Sequence, residues 1–238
     1  MGCRSSAAPQ PEQRRQQPET EAVDLEFVIR GDLRQTERGG NALVMLHGFG
    51  ASGDDLVGLA DELQHANTRY IVCAAPLQVG NGGRAWWPLR NRPQYDENQV
   101  LSTPEPELSS ARNAVLKLLS KLQQNYAPKT VALLGFSQGA MLALDVALTA
   151  SGVSRVAVLS GSLIPDTVAR LTRESHPTPA VFVSHGRQDG VLPFQAATAL
   201  VSTLQARALD PEFHAFDGGH QIPREILPAL KQFLFERG

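Results

Sequence analysis

Short apolar runs, polar glycine-rich breaks and longer stretches of helical period alternate along this chain. The apolar runs predict strands near 24–30, 42–46, 69–74, 130–134, 154–159, 180–185 and 211–216. The stretches between them predict helices near 53–66, 109–125, 138–150, 193–208 and 223–236. From residue 130 onward the strands lack a strict period of two, as expected where both faces of a sheet are buried. Alternation of this kind implies an α/β fold, a mostly parallel central sheet with helices on both faces and no large lid domain. Ligands of such sheets bind beyond the carboxyl ends of the strands, so the loops leaving those ends are where chemistry belongs.

One such loop is Gly135-Phe136-Ser137-Gln138-Gly139, set between the run Thr130-Val131-Ala132-Leu133-Leu134 and the helical stretch Ala140-Met141-Leu142-Ala143-Leu144. Strand, tight turn and helix in that order make a nucleophile elbow, in which the glycines let the elements approach and the serine hydroxyl stands clear. A serine hydroxyl is a poor nucleophile at neutral pH. It needs a histidine to take its proton and a carboxylate to orient that histidine, following in the order serine, acid, histidine. Ala180-Val181-Phe182-Val183-Ser184 runs into His185-Gly186-Arg187-Gln188-Asp189-Gly190, which makes Asp189 the candidate orienter. Glu212-Phe213-His214-Ala215-Phe216 runs into Asp217-Gly218-Gly219-His220-Gln221-Ile222-Pro223, which makes His220 the candidate base. The competitors fit less well. His65 falls in a helical pattern, His176 in a Pro-rich loop, His214 in a strand interior, and His185 ends a strand ahead of the aspartate loop. Asp217 sits where a loop cap is expected, and Asp166 comes too early for the order.

Acyl transfer also needs donors for the oxyanion. Asn41-Ala42-Leu43-Val44-Met45-Leu46 ends in the glycine-rich turn His47-Gly48-Phe49-Gly50-Ala51-Ser52-Gly53, whose backbone can supply one N–H at Phe49. Gln138, after the serine and at a helix start, supplies the other. A phosphate cradle is the rival reading of the glycine-rich turn, but the Walker Lys-Ser/Thr and the dinucleotide glycine spacing are both missing. The longest irregular stretch, about 76–107, carries both tryptophans, five prolines, Arg84, Arg90 and Arg92. It is expected to wall the substrate pocket, with Trp86 and Trp87 as candidate substrate-binding residues; the plainer alternative is a surface flap packed by aromatics. No His/Asp/Glu cluster of ligand spacing lies near Ser137, so no metal is expected.

Composition adds limits. With 42% hydrophobic residues and a formal charge of -2, the chain has the makings of one globular catalytic domain, 23–238, and no electrostatic reason to bind nucleic acid. Its two cysteines, Cys3 in a tail and Cys73 at a strand end, argue against a structural disulfide. Residues 1–22 are mostly Gln, Pro, Glu, Arg and Ser, a composition expected of a disordered tail or tether. Met1-Gly2-Cys3-Arg4-Ser5-Ser6 fits an N-myristoylation pattern with an adjacent palmitoylatable cysteine, and Gly-Cys before a polar linker also looks like a bacterial lipoprotein junction. As written there is no apolar signal region, so a cytoplasmic chain is expected, with a lipid anchor at Cys3 as the alternative.

Together Leu46-His47-Gly48-Phe49-Gly50, Gly135-Phe136-Ser137-Gln138-Gly139, His185-Gly186 with Asp189 and Val191-Leu192-Pro193, and Gly219-His220 resemble the phospholipase/carboxylesterase and acyl-protein thioesterase family. The resemblance runs from about Asp24 to the C-terminus. It implies a compact α/β-hydrolase that cleaves carboxylic esters or thioesters without metal or organic cofactor. It also implies Ser137, Asp189 and His220 as the triad, with Phe49 and Gln138 as backbone donors. Gly82-Gly83-Arg84-Ala85-Trp86-Trp87-Pro88 occupies the place of the family's tryptophan loop, with Pro88 where the thioesterase branch usually has an acidic residue. The reading is therefore a serine esterase of small-molecule esters working through an acyl-enzyme. An acyl-thioesterase or protein depalmitoylase is the alternative, and a non-catalytic hydrolase-fold binding protein is the alternative of another class, for which an intact Ser/Asp/His set would be unnecessary.

Overall fold

The structure, a computed structural model, describes residues 23–31, 38–89, 96, 100, 105–171 and 178–236. The tail 1–22 with Cys3, and also His176, Arg90 and Arg92, lie outside the described residues.

Seven strands form one sheet in the order β1-β3-β2-β6-β7-β8-β9. They are β1 (Glu26–Gly31), β2 (Asn41–Leu46), β3 (Thr68–Ala74), β6 (Thr130–Phe136), β7 (Val153–Leu159), β8 (Ala180–Gly186) and β9 (Glu212–Phe216). All neighbouring pairs are parallel except β1 with β3. A separate two-stranded hairpin joins β4 (Leu77–Val79) to β5 (Gly83–Ala85). The helices are α1 (Val57–Glu62), α2 (Glu105–Tyr126), α3 (Gln138–Ala147), α4 (Pro165–Leu171), α5 (Phe194–Gln205) and α6 (Leu227–Phe235). This is an α/β-hydrolase arrangement, with the central strands largely apolar because each feeds two cores. In β2, Val44 and Leu46 join the core that includes α2 and α3, while Leu43 and Met45 join the one under α1 and α6. In β6, Leu133 goes to the first and Leu134 to the second. A side chain lost from either layer would leave a cavity costing about 2–5 kcal/mol.

All seven expected strands are present. Several other elements differ from the sequence pattern for local reasons. The helix expected over 53–66 is only six residues long. Turns closed by Asp55 N–H to Ser52 O and Val57 N–H to Asp54 O precede it, and the left-handed Asn67 turns the chain into β3 after it. His65 thus lies in the connecting loop, stacked on Phe235 at 4.7 Å, and not in a helix. The last helix begins later than expected, after a 3-10 turn at Arg224–Ile226, because Pro228 lacks an N–H and fits only the first turn of α6. The β4–β5 hairpin and α4 were not expected; strands of three residues and a helix of seven carry too little period to stand out. Cys73 lies within β3 with its side chain fully buried, which pushes the thiol far above its ordinary range and leaves it unreactive.

Candidate active site

The carboxyl end of β6 runs into α3 through Ser137, whose φ of 55° and ψ of -118° put a non-glycine residue in a strained conformation costing about 1–3 kcal/mol. Neighbouring contacts hold it there. Ser137 N–H donates to Leu159 O of β7 at 2.9 Å, and Ser137 O accepts from Ala140 N–H at 3.0 Å. The flanking glycines are required by contact distance. A β-carbon on Gly139 would lie 2.1 Å from Leu46 O, and one on Gly135 would lie 2.2 Å from Gly139 O.

The strain aims the serine hydroxyl at the loop after β9. Ser137 Oγ lies 2.9 Å from His220 Nε2, and His220 Nδ1 lies 2.7 Å from Asp189 Oδ2. Phe136 packs against the imidazole, ring centres 4.9 Å apart. The Asp189 side chain is fully buried on the loop after β8. Its Oδ1 accepts Val191 N–H at 2.8 Å and Leu192 N–H at 2.9 Å, so a buried carboxylate has the partners its charge demands. Asp217, by contrast, is exposed at the loop's outer edge, its carboxylate 3.8 Å from Arg187 Nε.

A second histidine reaches the same carboxylate. His185 Nε2 lies 3.2 Å from Asp189 Oδ2 and 2.9 Å from Leu192 O. Both neighbours are acceptors, so the proton of the neutral ring sits on Nε2. His185 is fully buried, and burial holds its pKa below the ordinary value despite the nearby Leu192 carbonyl and Asp189 charge. In the sequence His185 stands only as a strand end; a polar residue closing a buried strand beside the aspartate loop is the available signal.

The turn after β2 stands against the elbow. A β-carbon on Gly48 would lie 3.2 Å from the Ser137 β-carbon. His47 is buried and braces this turn, donating from Nδ1 to Gly48 O at 2.7 Å and accepting Ala75 N–H at Nε2 at 3.0 Å. Those bonds suit a neutral ring, and burial lowers its pKa accordingly. Gly50 N–H donates to Arg84 O and Arg84 N–H to Ala51 O, which fastens the turn to β5. Phe49 therefore sits exposed in a fixed loop beside Ser137. Gln138, first residue of α3, has an N–H without an intrahelical acceptor.

The Gln138 side chain does something its sequence position did not reveal. Its Oε1 accepts Trp86 N–H at 2.9 Å and its Nε2 donates to Trp87 O at 2.8 Å, a two-pronged clamp on the segment after β5. Trp86 Nε1 in turn donates to His47 O at 2.9 Å. Both tryptophans, the candidates for substrate binding, are 1% exposed, so their rings stand behind the surface, while Trp86 N–H, Trp86 Nε1 and Trp87 O tie the elbow, the segment after β5 and the glycine-rich turn together. Arg84, expected in the pocket wall, instead pairs with Glu26 at 2.7 Å and donates to Ala75 O.

Known proteins agree with this architecture. Residues 27–236 match the model of the phospholipase/carboxylesterase family. A probable carboxylesterase SOBER1-like protein of Arabidopsis thaliana is 28% identical over 211 residues, 82% of this chain and 78% of the relative. Acyl-protein thioesterase 1 of Kluyveromyces lactis is 27% identical over 215 residues, 82% and 90% of the two chains. The crystal structure of esterase PE8 superposes with a TM-score of 0.76 at 26% identity, covering 90% of this chain and 99% of that one. The matched segment contains the elbow, the glycine-rich turn and both loops that meet at Ser137, and the chain belongs to the phospholipase/carboxylesterase family of α/β-hydrolases.

Proposed function

We propose that the protein is a carboxylesterase whose nucleophile is Ser137, with His220 as base and Asp189 as orienter. The observation that carries this reading is the hydrogen-bonded line from Ser137 Oγ to His220 Nε2, 2.9 Å, and from His220 Nδ1 to Asp189 Oδ2, 2.7 Å. As Oγ attacks the ester carbonyl, its proton passes to Nε2, and the charge on the imidazolium is balanced by the buried carboxylate. The backbone N–H groups of Phe49 and Gln138 receive the oxyanion. The adduct collapses as His220 returns the proton to the leaving alcohol, and a water deprotonated by the same nitrogen then releases the acid from Ser137. In this scheme Trp86 and Trp87 keep the two donor segments in register from behind, through Gln138 and His47.

Hydrolysis of an acyl thioester is the second reading, favoured by the acyl-protein thioesterase among the relatives. It uses the same atoms and differs in the group that leaves. A panel of p-nitrophenyl esters and acyl thioesters of graded chain length ranks the two. The mechanism itself is tested by Ser137→Ala, which is expected to keep the fold, lose labelling by a fluorophosphonate, and lower turnover at least about 10⁴-fold. Retention of more than about a tenth of the wild-type rate, only ~1.4 kcal/mol of barrier, would take Ser137 out of the mechanism.

A further inference from the structure

Beside the base, a cavity of about 400 Å³ opens between α1 and the segment that leads into α6. Leu56 and Leu59 line it from α1 and the turn before it, Ile222 and Leu227 from the opposite segment. Phe136 and His220 also line it, and these are the residue preceding Ser137 and the residue hydrogen-bonded to it. Glu62 and Arg224, 3.5 Å apart, span the two walls and are shared with a second cavity over Pro228 and Lys231.

The chemistry at Ser137 decides what such a groove can take. In the tetrahedral adduct the oxyanion turns toward the Phe49 and Gln138 N–H groups. The departing oxygen must lie within reach of His220 Nε2, since that nitrogen gives it a proton. Whatever the departing oxygen carries therefore leaves on the His220 side, where the leucine and isoleucine walls begin. We propose that this groove is the leaving-group subsite and that it takes a neutral, apolar alcohol such as an arylmethanol. An anionic alcohol is disfavoured because, among the described residues, the carboxylates of Asp55 and Glu62 line the same cavity against one cation, Arg224. The assignment rests on the serine mechanism proposed above.

The test varies the alcohol with the acyl group fixed, and then the reverse. Ethyl and benzyl acetate are both esters of primary alcohols, and kcat/KM is expected to favour benzyl about tenfold, the gain from partly burying a phenyl ring. Leu59→Trp, which fills the groove, and Leu59→Asp, which puts a charge in it, should each bring the benzyl-to-ethyl ratio below about threefold. The ratio of ethyl hexanoate to ethyl acetate should stay within about twofold of wild type. An unchanged benzyl-to-ethyl ratio in both variants overturns the proposal, and so does a fall in the hexanoate-to-acetate ratio instead, which would make the groove an acyl site. Fluorophosphonate labelling of the same preparations reads the mechanism separately. Labelled protein with an unchanged alcohol ratio overturns the groove alone, whereas active protein that resists labelling overturns the serine mechanism.

Discussion

Three N–H groups of the described residues bond the Asp189 carboxylate, from Val191 and Leu192 on one oxygen and from His220 on the other, while His185 Nε2, which donates to Leu192 O, lies 3.2 Å from that second oxygen. The two backbone bonds fix the plane of the carboxylate, and His185, by donating to Leu192 O, holds the loop that supplies them. In the proposed mechanism His185 would act through the Asp189 loop as a positioning residue, so its loss should be repaired by a side chain that returns an N–H to Leu192 O. His185→Gln is expected to keep kcat within about threefold of wild type, whereas His185→Phe, similar in bulk but without the donor, should lose tenfold or more, ~1.4 kcal/mol in the barrier. Steady-state kinetics on folded, purified variants checks this. Equal losses in both would leave His185 with packing alone. The grouping of Ser137, Asp189 and His220 was legible in the sequence because each ends a strand run, in an order that the chemistry constrains. His185 and the Gln138 clamp were not legible, since their roles depend on which side chains are buried together across 4 and 51–52 residues of chain.

At the scale of elements, the elbow works only if β6, α3 and the end of β2 touch through backbone. Gly139→Ala would drive a methyl group to 2.1 Å from Leu46 O and 2.5 Å from His47 O, and Leu46 is held in the parallel ladder of β2, in register with Cys73 and Gly135. Urea unfolding is expected to show a loss of about 3 kcal/mol or more. Gly190→Ala, where a β-carbon would meet nothing within 4 Å, should stay within about 0.5 kcal/mol and serves as the control. Strand identities could be read from the pattern because runs buried on two faces are almost wholly apolar. Helix limits were less legible. The early end of α1 and the late start of α6 follow from a left-handed Asn67 and a proline at position 228, local backbone rules that override the hydrophobic period.

For the whole molecule, the two buried neutral histidines among the described residues bear on the response to acid. His47 and His185 both have pKa values lowered from 6.5, with burial the first cause in each. Below pH 6.5 the unfolded chain takes up protons at these sites that the folded chain refuses, so stability is complete above that pH and falls as pH drops below it. Each site contributes at most about 1.4 kcal/mol per pH unit until its folded-state pKa is reached. The urea midpoint should therefore be flat from pH 8 to about 7 and decline from about 6.5 downward; a midpoint that rose on acidification would contradict the buried neutral rings. The sheet order has a further consequence. Ser137 leaves β6, which is held on both sides, and Asp189 leaves β8, also held on both sides, but His220 leaves β9, an edge strand paired with β8 alone. Opening this one five-residue ladder would carry off His220 and leave Ser137 and the Phe49 and Gln138 N–H groups in place, so under the proposed mechanism activity is expected to be lost at a frayed sheet edge before the chain unfolds.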